Sequence, residues 1–437
     1  MIEKIQHRGV LIYEASPAGE TRAEDVVPAH PNGIQISRNR WLLVYATRGF
    51  RGSDDDLSTL CQLRAETPDG PLLTEVVLGK TTNEWDPDGA GARLVKQCGH
   101  PVAFGVPKGA LVRGNAASNA NVICVMWRAS SRMLDREKNY LLHQSEMDGP
   151  RILRVEWVQL RLNDAEDDIE ILVPPRRLRQ VGYEDGDAFC RHEQATDMNQ
   201  SFVQPVPFND DATEWIITEH FGNRLVPIKL KFDEKAGHYE WTETGPFLNA
   251  EDAPLFEAST LQFGDDWCIS GRTRWGQPGI GWFRTNDPFG EPTALTVAED
   301  VKTQSPHTAY MCPDGVVRVC TNDRSVSPYN VGRCPLYIWD LDPDDGFSAS
   351  NRRVIFDSIA AGLPFLPEDS PTMDMCKLLP HAGGRTGYLV HRVRNSSAHH
   401  PSRVAKNLIT PEAKAATGIY WAQVEYAEEY PGRWVFE

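Results

Sequence analysis

The sequence lacks the short motifs that mark many catalytic and cofactor sites. It contains no HExxH pair, no GxSxG elbow, no phosphate-binding P-loop and no GxGxxG turn. These patterns belong to zinc hydrolases, serine hydrolases, nucleotide-binding proteins and dinucleotide-binding enzymes, respectively. Their absence removes those classes as first expectations, and we expect neither a cofactor nor a metal ion.

Cysteine pairs at metal-binding or redox spacing are also missing. No CxxC occurs, so neither a zinc site nor a thioredoxin-like motif is indicated. We expect buried free thiols and a reducing, cytoplasmic location, an expectation that a removed leader would change. The nine cysteines are Cys61, Cys98, Cys124, Cys190, Cys268, Cys312, Cys320, Cys334 and Cys376.

Long apolar runs and positive charge are scarce. No stretch of eighteen uncharged apolar residues is present, and the N-terminus has no basic region followed by an apolar one, so no membrane partner is expected. The formal net charge is −16 at pH 7, which disfavours nucleic acid and anionic surfaces as partners. An acidic substrate therefore requires a local cluster of cationic side chains, while the oligomeric state stays open.

What the sequence does contain is short runs rich in β-branched and aromatic residues, separated by Gly, Pro, Asn and Asp. Six of them recur at intervals of roughly 50 to 90 residues, the spacing of four-stranded blades. We therefore predict an all-β protein, a six-bladed β-propeller occupying residues 1–437 as a single domain. The six runs are 41–45, 122–127, 215–218, 267–270, 316–320 and 386–390.

Turns and chain ends fit this prediction. Acidic turns with glycine follow several of the runs, at 67–70, 146–149, 287–290 and 344–346, and such turns close β-hairpins. The early strand 9–13 is expected to pair with the late strand 418–424, because an open blade would expose an unpaired edge. Helix is scarce, with 355–361 as the best short candidate.

Several segments resemble the sialidase (neuraminidase) superfamily. Residues 46–56 with 61–64 look like its first blade, where Arg48 takes the place of a substrate-binding arginine and Asp54 that of the acid/base. Segment 256–272 is similar to the family's glutamate, turn and arginine. The resemblance implies that Glu257 polarises a nucleophile and that Arg272 grips a substrate carboxylate. Arg333, in 331–339, matches a further arginine of that triad.

Two departures from the family pattern bear on activity. The opening Arg-Ile-Pro is replaced by 30–32, His-Pro-Asn, and the strand that carries the tyrosine nucleophile, 370–378, has no tyrosine. Where the family has a glutamate that braces the first arginine, this chain has His391. We therefore expect a pair formed by His30 and His391, and we do not expect true sialidase activity.

The same residues carry a physical argument of their own. In a propeller, strand ends from different blades meet at one central face, where the planar guanidinium groups of Arg48, Arg272 and Arg333 would bind a carboxylate, phosphate or sulfate. The alternative is that each arginine braces a loop by pairing with a neighbouring acid. Asp54 and Glu257 are the candidate acid and base, and without a tyrosine an inverting route with water is the natural expectation.

Histidines near strand ends allow a second chemistry. A histidine pair with a pKa near neutrality, His30 with His391, could remove and return a proton as β-elimination at a uronic acid requires, and His100 is a candidate substrate contact. The same histidines could instead hold a metal ion with Asp197 or Asp374.

Three hypotheses follow from these patterns. The first is a glycoside hydrolase acting exo-wise on an acidic, carboxylated sugar or small oligosaccharide. The second is a polysaccharide lyase on the same fold that uses the histidine pair. The third is a non-catalytic propeller that binds glycans or proteins, and fold alone does not decide among them.

Overall fold

The strands predicted from the sequence are organised into radial sheets in a computed structural model of the chain. The structure describes residues 1–12, 26–49, 56–85, 94–112, 120–132, 134–135, 140–141, 153–182, 205–221, 224–248, 255–273, 279–291, 293–303, 305–312, 314–329, 333–363, 371–395, 416–432 and 434–436. Nearly every regular element in these ranges is a strand, and Pro343–Asp345 form a short 3-10 turn.

Six sheets of four or five antiparallel strands form the six blades of a β-propeller. Blade 1 contains β2 (Val26–Ser37), β3 (Arg40–Gly49), β4 (Asp56–Ala65) and β5 (Leu72–Gly79). Blade 2 contains β6 (Thr82–Trp85), β7 (Leu94–Gly105), β9 (Ile123–Arg132), β12 (Leu153–Leu162) and β13 (Ile169–Arg177). Blade 3 contains β14 (Val206–Pro207), β15 (Glu214–Phe221), β16 (Arg224–Asp233) and β17 (His238–Thr244).

The second half of the chain repeats the arrangement. Blade 4 contains β18 (Leu255–Phe263), β19 (Asp266–Thr273), β20 (Ile280–Thr285) and β21 (Thr296–Ala298). Blade 5 contains β22 (Thr308–Met311), β23 (Val317–Thr321), β24 (Leu336–Asp342) and β25 (Ser348–Phe356). Blade 6 contains β26 (Pro371–Leu378), β27 (Ala382–Asn395), β28 (Gly418–Gly432) and β1 (Ile2–Ile12). Two small ladders join β8 (Ala110–Val112) to β29 (Trp434–Phe436) and β10 (Leu134–Asp135) to β11 (Tyr140–Leu141).

The ring closes through its first and last strands. β1 pairs antiparallel with β28, so that Gly9 lies opposite Trp421 and Val10 opposite Tyr420. The expected pairing of these two segments is confirmed. The N-terminal strand thereby supplies the outermost strand of blade 6 and covers the edge that β28 would otherwise expose.

The acidic turns lie at equivalent points of different blades. The turns at 67–70, 287–290 and 344–346 each connect the third strand of a blade to its fourth, in blades 1, 4 and 5. Asp287 accepts a hydrogen bond from the backbone amide of Phe289, and Asp342 accepts one from that of Asp344. This capping of turn amides explains the recurring Asp. The turn at 146–149 lies outside the described residues.

The core lies between the blades rather than at the axis. Each blade presents apolar side chains to both neighbours, which is why the middle strands consist of apolar runs. Gly79 of β5 shows how closely blades 1 and 2 approach, because a Cβ atom at this position would lie 2.7 Å from the Trp127 ring. Any larger residue would force the blades apart.

Two further expectations can be compared with the structure. The predicted helix at 355–361 is wrong: Ile355 and Phe356 end β25, and a turn follows in which the Ala361 amide bonds to the carbonyl of Asp357. Asp357 itself accepts hydrogen bonds from the amides of Ile359 and Ala360 and so stops the chain from extending a strand.

The described cysteines are all buried and free, as expected, while Cys190 lies outside the described residues. No helix in the described ranges is long and apolar enough to cross a membrane.

Candidate functional site

A bulge recurs in the inner strands of four blades. His30 in β2, His100 in β7, Glu257 in β18 and Met375 in β26 have φ of 52°, 54°, 56° and 59°, and each lies where the pairing register shifts. A left-handed backbone is unfavourable for residues with a side chain, and bulges redirect a side chain out of the ladder. The fold therefore holds these four side chains at one repeated position.

Arginines occupy a matching position in three blades, each in the strand that pairs with the bulged one. Arg128, Arg272 and Arg392 each lie opposite the residue that precedes the bulge, in blades 2, 4 and 6. All three are buried. The spacing along the chain hides this relation, which appears only when the strands are paired.

A chain of polar contacts runs from blade 5 to blade 1. Arg333 donates to Oδ2 of Asp374 at 2.6 Å, and Arg392 binds both oxygens of the same carboxylate at 2.8 and 2.9 Å. Arg392 also donates from Nη1 to Nε2 of His30 at 2.8 Å. Burial alone would raise the pKa of Asp374, but the charges of Arg392, Arg333 and Arg394 outweigh it and hold that pKa well below its usual range.

The imidazoles of blades 1 and 2 stack in a small pocket. The ring centroids of His30 and His100 are 3.8 Å apart, with 17° between the planes. Lys377 and Met375 of blade 6 line the same pocket together with Pro31, Pro101 and Val102. Blades 1, 2 and 6 thus contribute side chains to one small pocket.

Lys377 connects this pocket to blade 4. Burial lowers the pKa of Lys377 to about 7, against the opposing effects of Cys376 and of the Glu257 carboxylate. Glu257 forms a salt bridge with Arg272 of its own blade. The charges of Glu257 and Lys377 interact although their strands belong to non-adjacent blades, which places both groups near the axis.

Blade 5 adds a neutral histidine. His307 contacts the hydroxyl of Ser270 through Nε2 at 2.8 Å. Burial, followed by the charges of Arg272 and Lys377, lowers the pKa of His307 to about 3. We call the set that links five blades the central polar network; it comprises His30, His100, Glu257, Arg272, His307, Arg333, Asp374, Lys377 and Arg392.

Some of the predicted site residues belong to the central polar network, and others lie outside the described residues. His30, His100, Glu257, Arg272 and Arg333 belong to it. Arg48 is the penultimate residue of β3, but its side chain lies outside the described residues, as do Asp54 and Asp197. Both described arginines of the predicted triad are paired with carboxylates, Arg272 with Glu257 and Arg333 with Asp374.

The predicted pairing of His30 with His391 is corrected by the structure. Side chains alternate along β27, so Arg392 faces His30 while His391 faces the opposite side of the blade. There His391 lies among aromatic rings, with centroids 5.9 Å from His7, 5.6 Å from Phe356 and 6.0 Å from Tyr420. The partners of His30 are His100 and Arg392 instead.

Sequence reasoning missed Arg392 and Lys377 as parts of the site, and treated Asp374 only as a metal-ligand candidate. The oxygens of Asp374 accept hydrogen bonds from two arginines. Among the residues that the structure describes, no three His, Cys, Asp or Glu side chains come together as a metal site. No local signal in the sequence marked these residues, because the relation between them appears only once the strands are paired.

No protein-family model matches the chain, and no curated protein matches it at a significant level. Several solved structures, however, are similar to this chain in fold. A protein of unknown function from Dyadobacter fermentans is 12% identical and aligns over 97% of this chain and 100% of that chain, with a TM-score of 0.54.

Two sialidase-type structures show the same likeness. A mutant of Trypanosoma rangeli sialidase that displays trans-sialidase activity is 8% identical and covers 98% of this chain and 59% of that chain, with a TM-score of 0.52. The intramolecular trans-sialidase from Ruminococcus gnavus, in complex with oseltamivir carboxylate, is 9% identical and covers 89% of this chain and 94% of that chain, with a TM-score of 0.53. At these identities the likeness establishes the fold, an all-β six-bladed propeller resembling sialidase structures.

Proposed function

We propose that this protein is a carbohydrate-active enzyme, a glycoside hydrolase that acts on an acidic, carboxylated sugar. The observation that supports the proposal is the convergence of cationic side chains from three blades, Arg272, Arg333 and Arg392 with Lys377, on the centre of a protein whose net charge is −16. Two described carboxylates, Glu257 and Asp374, offset only part of this charge. Such a local excess attracts an anionic ligand and excludes cationic ones.

Arg333 is the arginine best placed to meet the ligand. Its side chain retains 23% of its exposure, whereas the carboxylate of Asp374 is fully buried. Arg333 uses Nη1 for Asp374, and a guanidinium has further N–H groups that can bind a carboxylate. Arg392 lies deeper, and its role in the proposal is to position His30 and Asp374.

The hydrolytic roles proposed for the carboxyl groups follow from the resemblance and from chemistry. Glycoside hydrolysis generally requires one group that protonates the leaving oxygen and one that activates water. Glu257 is proposed as the base or its support, because its bulged backbone directs the side chain out of the ladder beside Lys377. Asp54 remains the proposed acid; it lies outside the described residues.

A specific observation favours a lyase as the second candidate. The stacked imidazoles of His30 and His100 share their pocket with Lys377, and β-elimination at a uronic acid needs groups that can remove and return a proton. Recognition of the same carboxylated sugar by Arg333 is common to both candidates. The two sialidase-type structures of similar fold are a sialidase and a trans-sialidase, and the proposal takes from them only the general class of an acidic sugar.

The test is a panel of chromogenic keto-acid and uronic-acid glycosides and uronate oligosaccharides, with neutral glycosides of equal size. Released reducing ends report hydrolysis, and absorbance of an unsaturated uronate reports elimination. We expect turnover of acidic substrates only, and Arg333→Gln should raise KM by about tenfold or more, since one charged hydrogen bond contributes roughly 1.5 to 3 kcal/mol.

Arg284→Gln provides the matched control for that substitution. Arg284 also forms hydrogen-bonded ion pairs, with Asp266 and Asp344, but it lies on the outer part of blade 4. Its loss should leave KM unchanged. Turnover of neutral glycosides with none of the acidic ones would refute the role of the arginines, and complete inactivity with unimpaired glycan binding would favour the non-catalytic alternative.

A further inference from the structure

A cleft of about 490 Å³ lies between blades 2 and 3. It is distinct from the central polar network, because Asn121 and Val122, which line it, directly precede β9, whereas Arg128 lies five residues beyond the start of that strand, roughly 16 Å away. Small-molecule sites generally enclose about 300 to 1,000 Å³, so the cleft is large enough for a ligand. We call it the blade 2–3 cleft and define it by Asn121, Val122, Arg161, Leu172, Phe232 and Glu234.

One side of the blade 2–3 cleft is apolar. Val122 and Phe232 are buried, and Leu172 is partly buried against the same hydrophobic core. The ring of Phe232 packs edge-to-face on Tyr239, with centroids 5.2 Å apart and 65° between the planes. Because these contacts already hold the side chains in place, an apolar group that enters the cleft is removed from water with little ordering of the protein.

The polar side chains of the cleft remain available to a ligand. Arg161 donates from Nε to Glu170 at 2.7 Å, but in the described part of the chain neither Nη1 nor Nη2 has a hydrogen-bond partner. The same is true of the side chains of Asn121 and Glu234 within those ranges. A guanidinium group and an amide can both donate to a carboxylate, and a carboxylate accepts from an ammonium group. The cleft therefore presents one cationic and one anionic group.

The backbone fixes the positions of two of these polar groups. Asn121 has a φ of 34°, in the left-handed region that asparagine enters more readily than most residues. Glu234 lies in the turn between β16 and β17, where Oδ1 of Asp233 accepts hydrogen bonds from the amides of Lys235 and Ala236 at 2.8 and 3.1 Å. The capped turn holds the backbone of Glu234 at the edge of the cleft.

We propose that the blade 2–3 cleft binds a small zwitterion with an apolar side chain, the chemistry of an apolar α-amino acid. Arg161 and Asn121 bind the carboxylate, Glu234 binds the ammonium group, and the apolar side chain packs beside Phe232. A purely anionic or purely cationic ligand would leave one charged group of the cleft unmatched. The inference goes beyond the proposed glycoside hydrolysis and does not depend on it, since binding is measured without turnover of a glycoside.

The test is a titration of the full-length protein with L-phenylalanine at pH 7, followed by ligand-observed NMR to give Kd. Three analogues each remove one feature of the ligand: N-acetylphenylalanine lacks the ammonium group, phenylalaninamide lacks the carboxylate, and glycine lacks the apolar side chain. We expect the first two to bind about three- to tenfold more weakly, because the charged groups they lose meet partly exposed partners. Glycine should bind more than about tenfold more weakly. Absence of saturable phenylalanine binding, or equal affinity for all four compounds, would overturn the proposal.

Two variants locate the ligand in the cleft. Arg161→Gln should weaken phenylalanine binding by about three- to tenfold and leave phenylalaninamide binding unchanged, because the amide has no carboxylate to lose contact with. Glu234→Gln should weaken phenylalanine binding and leave N-acetylphenylalanine binding unchanged, for the corresponding reason.

Arg385→Gln is the matched control. Arg385 is half-exposed like Arg161 and pairs with a half-exposed glutamate, Glu3 at 3.2 Å, but it lies in blade 6. Its loss should leave phenylalanine binding as it is in the wild type. Wild-type affinity for phenylalanine in both Arg161→Gln and Glu234→Gln would mean that the amino acid binds elsewhere and that the assignment of the cleft is wrong.

Discussion

Arg392 donates from Nη1 to Nε2 of His30 across the boundary between blades 6 and 1, at 2.8 Å. A guanidinium cannot accept a hydrogen bond, so Nε2 must be the acceptor and His30 carries its proton on Nδ1. Because Arg392 is held by both oxygens of Asp374, one buried carboxylate fixes the orientation of the arginine and, through it, the tautomer of the histidine. Arg392 therefore selects the tautomer of His30 only while Asp374 holds the guanidinium group in place.

The Asp374–Arg392 pair should be strongly coupled. Both side chains are almost completely buried, and removal of one partner leaves an uncompensated charge, which typically costs about 3 to 5 kcal/mol. We expect Arg392→Gln and Asp374→Asn each to lower the free energy of unfolding by about that amount. The double variant should lose clearly less than the sum of the two, as measured by urea denaturation in a double-mutant cycle.

The surface pair Arg161–Glu170 gives the contrast. Its side chains retain 49% and 46% of their exposure at a distance of 2.7 Å. Exposed pairs contribute about 0 to 1 kcal/mol, so Arg161→Gln should be nearly neutral. An additive cycle for Asp374 and Arg392 would mean that the two groups do not depend on each other.

Glu219 should make stability decrease with rising pH. Among the described residues no donor meets normal geometry to either of its buried oxygens, and burial raises its pKa to about 8 despite the nearby amide of His220. The carboxyl group is ordinarily deprotonated above about pH 4.3 in an unfolded chain. The native state therefore binds more protons than the unfolded state between about pH 4.3 and pH 8, and stability falls over that window.

Glu219→Gln isolates this effect, because the amide has a similar shape and does not titrate. The stability advantage of Glu219→Gln over the wild type should grow by more than about 2 kcal/mol between pH 5 and pH 8, given about 1.4 kcal/mol for each unit of pKa shift. Denaturation curves at both pH values provide the measurement. Glu234→Gln, at an exposed turn, should show the same pH dependence of the unfolding free energy as the wild type. If Glu219→Gln also shows that dependence, the carboxyl group of Glu219 does not have the raised pKa.

The fold was accessible from sequence because its signals are local and repeated. Apolar runs of strand length, Asp-Gly turns and complementary terminal strands each follow from short-range physics, and their recurrence indicated six blades. The failed helix at 355–361 shows the limit of that approach. Ile355 and Phe356 complete β25, and the single turn that Asp357 caps ends at Gly362, where φ is 68°.

The site was less accessible because its residues meet only through the bulges and strand pairing. His30 and His391 were matched by analogy with an arginine–glutamate pair, but a shift of one residue along a strand moves a side chain to the other face. The arginine that faces His30 is therefore the next residue, Arg392. Lys377 had no signal of its own, since an isolated lysine in a strand gives no indication of burial.

Closure of the ring by β1 should be essential to stability. Ile5 lies opposite Val424 and packs against the core between blades 5 and 6. Ile5→Pro should lower Tm well beyond Ile5→Ala, because both lose apolar burial but only proline also removes a backbone donor and restricts φ. Thermal unfolding followed by circular dichroism measures the difference, and equal losses in the two variants would show that the backbone pairing at this position contributes little.

The ring cluster of His7, Phe356, His391 and Tyr420 should make the stability of the protein sensitive to acid. His7 stacks on Phe356 with centroids 3.8 Å apart, and burial lowers its pKa to about 4. Burial, followed by the charge of His7, lowers the pKa of His391 to about 3. Both imidazoles are neutral in the native state and become protonated below about pH 6.5 on unfolding, so the unfolded state binds more protons and stability falls as pH decreases from about 6.5 toward 4.

His7→Phe should reduce that loss while preserving the stack on Phe356. Across pH 6.5 to 4, the pH dependence of the unfolding free energy should decrease by up to about one proton per molecule relative to the wild type. His238→Gln, at the partly exposed start of β17, serves as the control and should leave the dependence as it is. Because carboxyl groups titrate in the same range in all three proteins, only the difference between variants is diagnostic. An unchanged slope in His7→Phe would mean that protonation of this histidine does not oppose ring closure.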